Sequence, residues 1–130
     1  MKKYEFRGKT VKTGEWVYGY LIEGEANGAL YIGRNNMQCT EVDPETIGQF
    51  IGKYDKHGNK IFEDDFVVVR KSFFTVVFKD SAFWFFFRNV DGNEVYMLAA
   101  AYSSGNVEII GNIADKQILE KVYEKENSDT

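Results

Sequence analysis

A mainly β fold, closed by one short helix near the C-terminus, is what this sequence of 130 residues predicts. Three observations lead there. Aromatic residues make up 16% of the chain, and aromatic side chains suit pleated, half-buried surfaces. Short runs of alternating apolar residues recur between Gly- and Asp-rich turns, as at Trp16 to Ile22 and Ala82 to Arg88. Only one stretch, after Asp115, carries apolar residues at helical spacing.

Taken in order, Tyr4 to Arg7 forms a short strand, followed by a polar turn through Gly8 to Gly14. Glu15 to Ile22 is a strand with Trp16, Tyr18, Tyr20 and Ile22 on one face and Val17, Gly19 and Leu21 on the other. Asn27-Gly28 suits a tight hairpin turn, so Ala29 to Ile32 returns antiparallel. Gly33 to Thr40 reads as a polar, turn-rich connection. The only proline, Pro44, holds Asp43 extended and leads into a strand from Thr46 to Ile51.

Asp55 to Lys60 is a compact turn with Gly58 in the left-handed region, and it runs directly into three acids, Glu63, Asp64 and Asp65. Phe66 to Lys71 and Phe73 to Lys79 are strands with a bend or bulge near Ser72. Ala82 to Arg88 places Phe83, Phe85 and Phe87 on one face and Trp84 and Phe86 on the other. A strand apolar on both faces is covered on both sides, so one face belongs to the core and the other to a second lobe or subunit. Val90 to Asn93 is a further hairpin turn. Met97 to Tyr102 is compatible with a strand end or a helical turn, and Val107 to Ile110 is the last strand. Asn112 or Asp115 caps a helix to about Lys125 with a stripe of Ile118, Leu119, Val122 and Tyr123, and residues 126–130 form a disordered tail.

Composition narrows the function classes. Sixteen basic against twenty acidic residues give a net charge of −4, which disfavours generic nucleic-acid or anionic-membrane binding. One cysteine, Cys39, allows no internal disulfide and suits a reducing compartment. Met-Lys-Lys-Tyr-Glu-Phe-Arg has the basic start of a signal peptide without an apolar segment behind it, and no run approaches the roughly 20 apolar residues of a transmembrane helix. The expected location is the cytoplasm, with no membrane partner.

Candidate chemistry is sparse. Glu63, Asp64 and Asp65 could hold a hard cation, but the turn before them lacks the alternating acids of a calcium loop, so acids solvating the start of a strand are the favoured reading. His57 stands between lysines with no second His or Cys nearby and reads as a surface turn residue. Cys39 has no base placed beside it and reads as an ordinary thiol. The glycines match neither nucleotide fingerprint, and the serines lie outside any nucleophile elbow. No residue is therefore assigned to catalysis, to a cofactor or to a metal, and the chain is expected not to be an enzyme.

The remaining feature is aromatic surface. Trp16, Tyr18 and Tyr20 on one strand, and Trp84, Phe86 and Arg88 on another, form the expected interaction surface. Lys79 and Arg88 bracket the second strand, and Arg70 and Lys71 precede it, so stacking of bases is the alternative to a protein contact.

Three blocks of the sequence resemble the YopX family. They are Phe6-Arg7-Gly8 with Trp16-Val17-Tyr18-Gly19; Thr46 to Phe50 with Gly52, Asp55, Gly58, Ile61-Phe62-Glu63 and Asp65; and Val107 to Ile113. The resemblance implies a small protein of bacteriophage or prophage origin, working in the bacterial host's cytoplasm. It implies a small Src-homology-3-like barrel with a strand-rich N-terminal extension, which with the helix read above gives a single domain over residues 1–125: N-terminal strands 1–45 packed on a barrel 46–113, and a helix 115–125. It carries no accepted catalytic mechanism. The chain departs from the family pattern where Glu63-Asp64-Asp65 replaces the usual Glu-Gly-Asp, and where Ile51 replaces the Thr before the central glycine. If that glycine position requires a positive φ, Asp64 occupies it under strain. Together these readings give a non-catalytic interaction or self-assembling module, a homo-oligomer or the partner of a host or phage protein. The alternative is a nucleic-acid-binding accessory of phage replication or recombination.

Overall fold

The computed structural model describes residues 5–25, 28–88 and 91–115, and these are mainly β, with one sheet curled into a half-barrel. The chain divides into two compact units between Gly52 and Lys53. The predicted helix and tail after Asp115 lie outside the described residues, as do Tyr4, Asn27 and Val90.

In the N-terminal unit the strands are β1 (Phe6–Lys9), β2 (Trp16–Glu23), β3 (Leu30–Asn35) and β4 (Gln38–Val42), with β5 (Gly48–Tyr54) running through the division. They are hydrogen-bonded in the order β4-β3-β2-β1-β5, all four pairings antiparallel. The sheet curls far enough that Thr10, just past β1, bridges Val42 at the end of β4. Glycine makes that curl feasible. Gly19 has a φ of 150°, and a Cβ there would stand 2.6 Å from the Gly33 carbonyl oxygen, so only a bare backbone allows β2 and β3 to approach so closely. Ile32 and Val42 fill the interior and are fully buried.

The predicted return strand is present, with Leu21 opposite Ile32. The polar connection read from Gly33 to Thr40 is instead a hairpin, because β3 continues to Asn35 and β4 starts at Gln38. Asn35 supplies the turn: its Oδ1 accepts hydrogen bonds from the Met37 and Gln38 N–H groups at 2.8 and 2.9 Å. Asp43 is extended as Pro44 requires, and its Oδ1 accepts from the Glu45 N–H at 3.1 Å to start a 3₁₀ turn over Pro44–Thr46.

The second unit contains β6 (Lys60–Phe62), β7 (Asp65–Val69), β8 (Ser72–Lys79), β9 (Ala82–Arg88), β10 (Glu94–Leu98) and β11 (Val107–Asn112). Five of these form an antiparallel sheet in the order β10-β9-β8-β7-β11, with a bulge in β11 between Ile109 and Gly111. The bend expected near Ser72 is a two-residue hairpin turn at Arg70-Lys71, since Val69 pairs with Ser72. A second tight turn at Asp80-Ser81 joins β8 to β9, where Lys79 pairs with Ala82. All four turn residues have φ between 51° and 69°, the conformation in which a hairpin turn matches strand twist. Met97 to Tyr102 resolves into a strand end at Leu98 and a 3₁₀ turn over Ala99–Ala101.

Alternation sorts the sheet into two faces. Val67, Val69, Phe74, Val76 and Phe85 point inward and are buried, and Phe85 packs 6.3 Å from Phe74 and 5.9 Å from Tyr102, ring centre to ring centre. Phe66, Phe73, Thr75, Trp84, Phe86 and Tyr96 alternate with these and occupy the opposite face. Among the described residues no helix is long and apolar enough to cross a membrane.

Candidate functional site

Two places stood out in the sequence, the turn-and-acids stretch from Asp55 to Asp65 and the aromatic strands. The first is a structural joint. Asp55 is only 3% exposed, and its carboxylate accepts three backbone hydrogen bonds: Oδ1 from His57 and Asn59 at 3.0 and 2.9 Å, Oδ2 from Ile109 at 3.1 Å. The first two bonds shape the turn, and the third ties it to β11. Lys56 reinforces the tie, its N–H donating to the Val107 carbonyl at 2.8 Å and its Nζ standing 2.8 Å from Glu108 Oε2. Burial pushes the Asp55 carboxyl pKa up, but the Asn59, Ile109 and His57 N–H groups and the His57 charge outweigh it and hold the group below its ordinary value. His57 is a surface turn residue as expected, with Nε2 3.6 Å from Glu108 Oε1.

Of the acids at 63–65, Asp65 does not solvate the start of the strand, which corrects the sequence reading for that residue, while Glu63 and Asp64 stay partly exposed. Asp65 is 1% exposed, and its Oδ2 accepts a 2.8 Å hydrogen bond from the Phe62 N–H across the turn. Charge can go inside here because a backbone donor meets it. Asp64 has a φ of 71°, the left-handed conformation anticipated for a family glycine position. Its backbone is bonded on both sides, the N–H donating to Val76 O at 2.8 Å and the carbonyl accepting from Ile113 N–H at 2.9 Å. Among the described residues no three His, Cys, Asp or Glu side chains gather in a group able to hold a metal ion.

The aromatic residues are divided between the two units. Trp16 lies half-buried beneath two cations, with the Arg7 guanidinium 4.5 Å and Lys9 Nζ 5.2 Å from its ring centre. Tyr18 and Tyr20 follow on β2 and are exposed. Cys39, a free and partly exposed thiol with Sγ 3.6 Å from the Asn36 carbonyl, shares a wide, open depression with Val17, Tyr18, Gly33, Arg34 and Gln38.

Trp84, Phe86 and Arg88 are on β9, on the outer face of the five-stranded sheet. Tyr96 of β10 joins them, 6.4 Å edge-on from Trp84 and 5.0 Å from Phe86. Each end of this strip carries a cation over a ring, Lys79 Nζ 4.3 Å from Tyr96 and the Arg88 guanidinium 5.8 Å from Phe86. Arg88 is also paired with Glu94, whose other carboxylate oxygen accepts from the Tyr96 hydroxyl at 3.2 Å. These bonds, with the Arg88 hydrogen bond foremost, hold the Glu94 carboxyl below its ordinary pKa.

The structure adds Phe66, Phe73 and Tyr96 to this face, which sequence reasoning did not single out. Phe73 is 46% exposed and Leu98 is also well exposed. The alternation Phe73-x-Thr75-x-Val77 and Glu94-x-Tyr96-x-Leu98 held the signal, but only the strand register shows which members share a side. Between these side chains lies a cleft of about 180 Å³ lined by Phe66, Phe73, Thr75, Phe86 and Arg88, with Phe74, Phe87 and Ile110 completing it.

No curated protein matches the chain. The family model described as YopX protein matches residues 5–119, which span all eleven strands of the described residues and all three sequence blocks. The chain therefore belongs to the YopX family.

Proposed function

We propose that this YopX-family chain is a non-catalytic interaction module that assembles with copies of itself through the outer face of the β7–β10 strands. One observation carries the reading: a face rich in Phe, Trp and Tyr stays partly exposed to water, with Phe73 and Leu98 well exposed, while Val67, Val69, Phe74, Val76 and Phe85 on the reverse face are buried. Contiguous apolar surface of this kind is characteristic of contact sites, and aromatic residues dominate the energetics of such contacts. The setting proposed with it is the cytoplasm of a bacterial host, with phage or prophage origin. The architecture proposed is a Src-homology-3-like barrel followed by the short helix whose stripe is Ile118, Leu119, Val122 and Tyr123. Sizing of the full chain with light scattering over a wide concentration range tests the central part. Growth in mass with concentration is expected; a monomer at every concentration would sink it.

A second reading has its own observation. The cations over Tyr96 and Phe86 give the aromatic strip the combination that single-stranded nucleic acid uses, a ring to stack on and a positive neighbour. The Arg88–Glu94 pair and the net charge of −4 weigh against it. It predicts binding to single-stranded oligonucleotides that falls with added salt and with Trp84→Ala or Arg88→Ala. No mobility shift at low salt removes it.

A further inference from the structure

We infer that residues 116–125 of this chain fold back onto the aromatic cleft of their own five-stranded sheet and compete there with a second copy. The contact within one chain goes beyond the self-association reading, and only the competition rests on it. Position is the first argument. The described residues end at Asp115, three residues past β11, and β11 is the edge strand beside β7. A single row of paired residues crosses the sheet from that end of β11. Gly111 stands opposite Phe66, Phe66 opposite Thr75, Thr75 opposite Phe86, and Phe86 opposite Tyr96. Phe66, Thr75 and Phe86 of this row line the cleft, together with Ile110 of β11 itself. The exit is fixed there, because the Ile113 N–H donates to the Asp64 carbonyl at 2.9 Å and the Asp115 N–H to the Asn112 carbonyl at 3.1 Å.

Length and chemistry are the second argument. The sequence of residues 116–125 sets Ile118, Leu119, Val122 and Tyr123 at helical spacing, and a stripe of that kind needs an apolar surface to cover it. Ten residues of helix reach about 15 Å. The cleft crosses β11, β7, β8 and β9, three strand spacings that come to roughly 14 Å. Its volume of about 180 Å³ falls short of the roughly 300–1,000 Å³ of small-molecule sites and fits one side chain of the stripe. Phe73, which lines it, is 46% exposed, so apolar area is there to be covered. Arg88, the one charged residue lining the cleft, is paired with Glu94, so an apolar side chain entering it buries no unpaired charge.

Tethering favours this occupant over one from solution. A segment that starts beside its site acts at an effective concentration on the order of millimolar, which a second copy has to match. If the segment covers the cleft about nine-tenths of the time, freeing the cleft tightens assembly about tenfold or more.

A nitroxide on the full chain tests the contact, attached through Glu124→Cys in a Cys39→Ser background and read by NMR under dilute, monomeric conditions. Glu124 lies on the polar side of the stripe, so the label leaves the apolar residues in place. The amide signals of Phe66, Phe73 and Phe86 are expected to broaden, and the broadening is expected to vanish when Leu119→Glu and Val122→Glu are added. Circular dichroism checks that each variant is folded. Unbroadened signals, or broadening that the two glutamates leave unchanged, overturn the inference. So does broadening carried to unlabelled, isotope-enriched chains in a mixture, since the segment then docks on a neighbour. Light scattering of Leu119→Glu with Val122→Glu, without the label, tests the competition. A dissociation constant about tenfold or more below that of the wild type supports it, and an unchanged one overturns it. Broadening in a chain that is monomeric at every concentration removes the self-association reading and leaves the contact standing.

Discussion

The turn at Asp55–Asp65 and the outer face of the five-stranded sheet invert the usual rule that charge stays out and aromatics go in. Asp55 and Asp65 are almost wholly buried, whereas Phe73, Trp84, Phe86 and Tyr96 all keep contact with water. The difference is one of partners. Each buried carboxylate meets backbone N–H groups that would otherwise be unsatisfied, so burying it completes a set of bonds within the chain. The aromatic face has a core on its far side and, on its near side, area still available to a partner. A region closed on itself is structural; a region left open is where we propose that contacts form.

The largest effect that would break this contrast comes from Asp55. Asp55→Ala removes the acceptor of three N–H groups at once and is expected to lower stability by about 3 kcal/mol or more, measured by urea unfolding. A loss below 1 kcal/mol would show that water replaces the carboxylate and that the joint is not closed. Asp65→Ala removes the buried, charge-assisted bond from the Phe62 N–H and is expected to cost about 2 kcal/mol or more in the same assay.

Acid sharpens the same point. The folded Asp55 carboxyl titrates below its unfolded value, so its contribution is complete above the unfolded pKa and is lost as pH falls through the folded one. Stability is therefore expected to decline below about pH 4, and the decline should be shallower in Asp55→Asn. Equal slopes in the two proteins would remove Asp55 from the account.

The smallest effects are expected at the strained turn and on the open face. Asp64→Gly relieves a positive φ and is expected to raise stability by up to about 1 kcal/mol, offset in part by the freedom glycine adds to the unfolded chain. Phe73→Ser is expected to change monomer stability by under about 1 kcal/mol, since its ring is already half in water. A loss of several kcal/mol would reassign Phe73 to the core.

Much of the fold was legible in the sequence. Alternation marked β2 and β9, Gly58 marked the left-handed residue of its turn, and Pro44 marked the extended Asp43 before it. The hairpins at Arg70-Lys71 and Asp80-Ser81 were not legible as turns, because neither pair carries the glycine that normally announces positive φ. The β3–β4 hairpin was hidden for another reason: its turn is made by a side chain, Asn35, inside a polar run that reads as a loop. The burial of Asp55 and Asp65 was not legible because their partners are backbone donors. One of these, Ile109, is 54 positions away from Asp55, and no periodicity reports a bond of that kind. An Asp opening a turn that contains His57-Gly58-Asn59 was the available clue. The site was half legible: Trp84, Phe86 and Arg88 could be named from one strand, but Phe66, Phe73 and Tyr96 join them only through the pairing of four strands.

The central claim is that the outer face of the second unit's sheet, and not the exposed tyrosines of β2, mediates self-association. Sedimentation equilibrium of wild type, Phe73→Glu and Tyr20→Glu at matched concentrations tests it most directly. The account predicts that wild type and Tyr20→Glu sediment as oligomers and Phe73→Glu as a monomer. Dissociation by Tyr20→Glu with Phe73→Glu still assembled would contradict it.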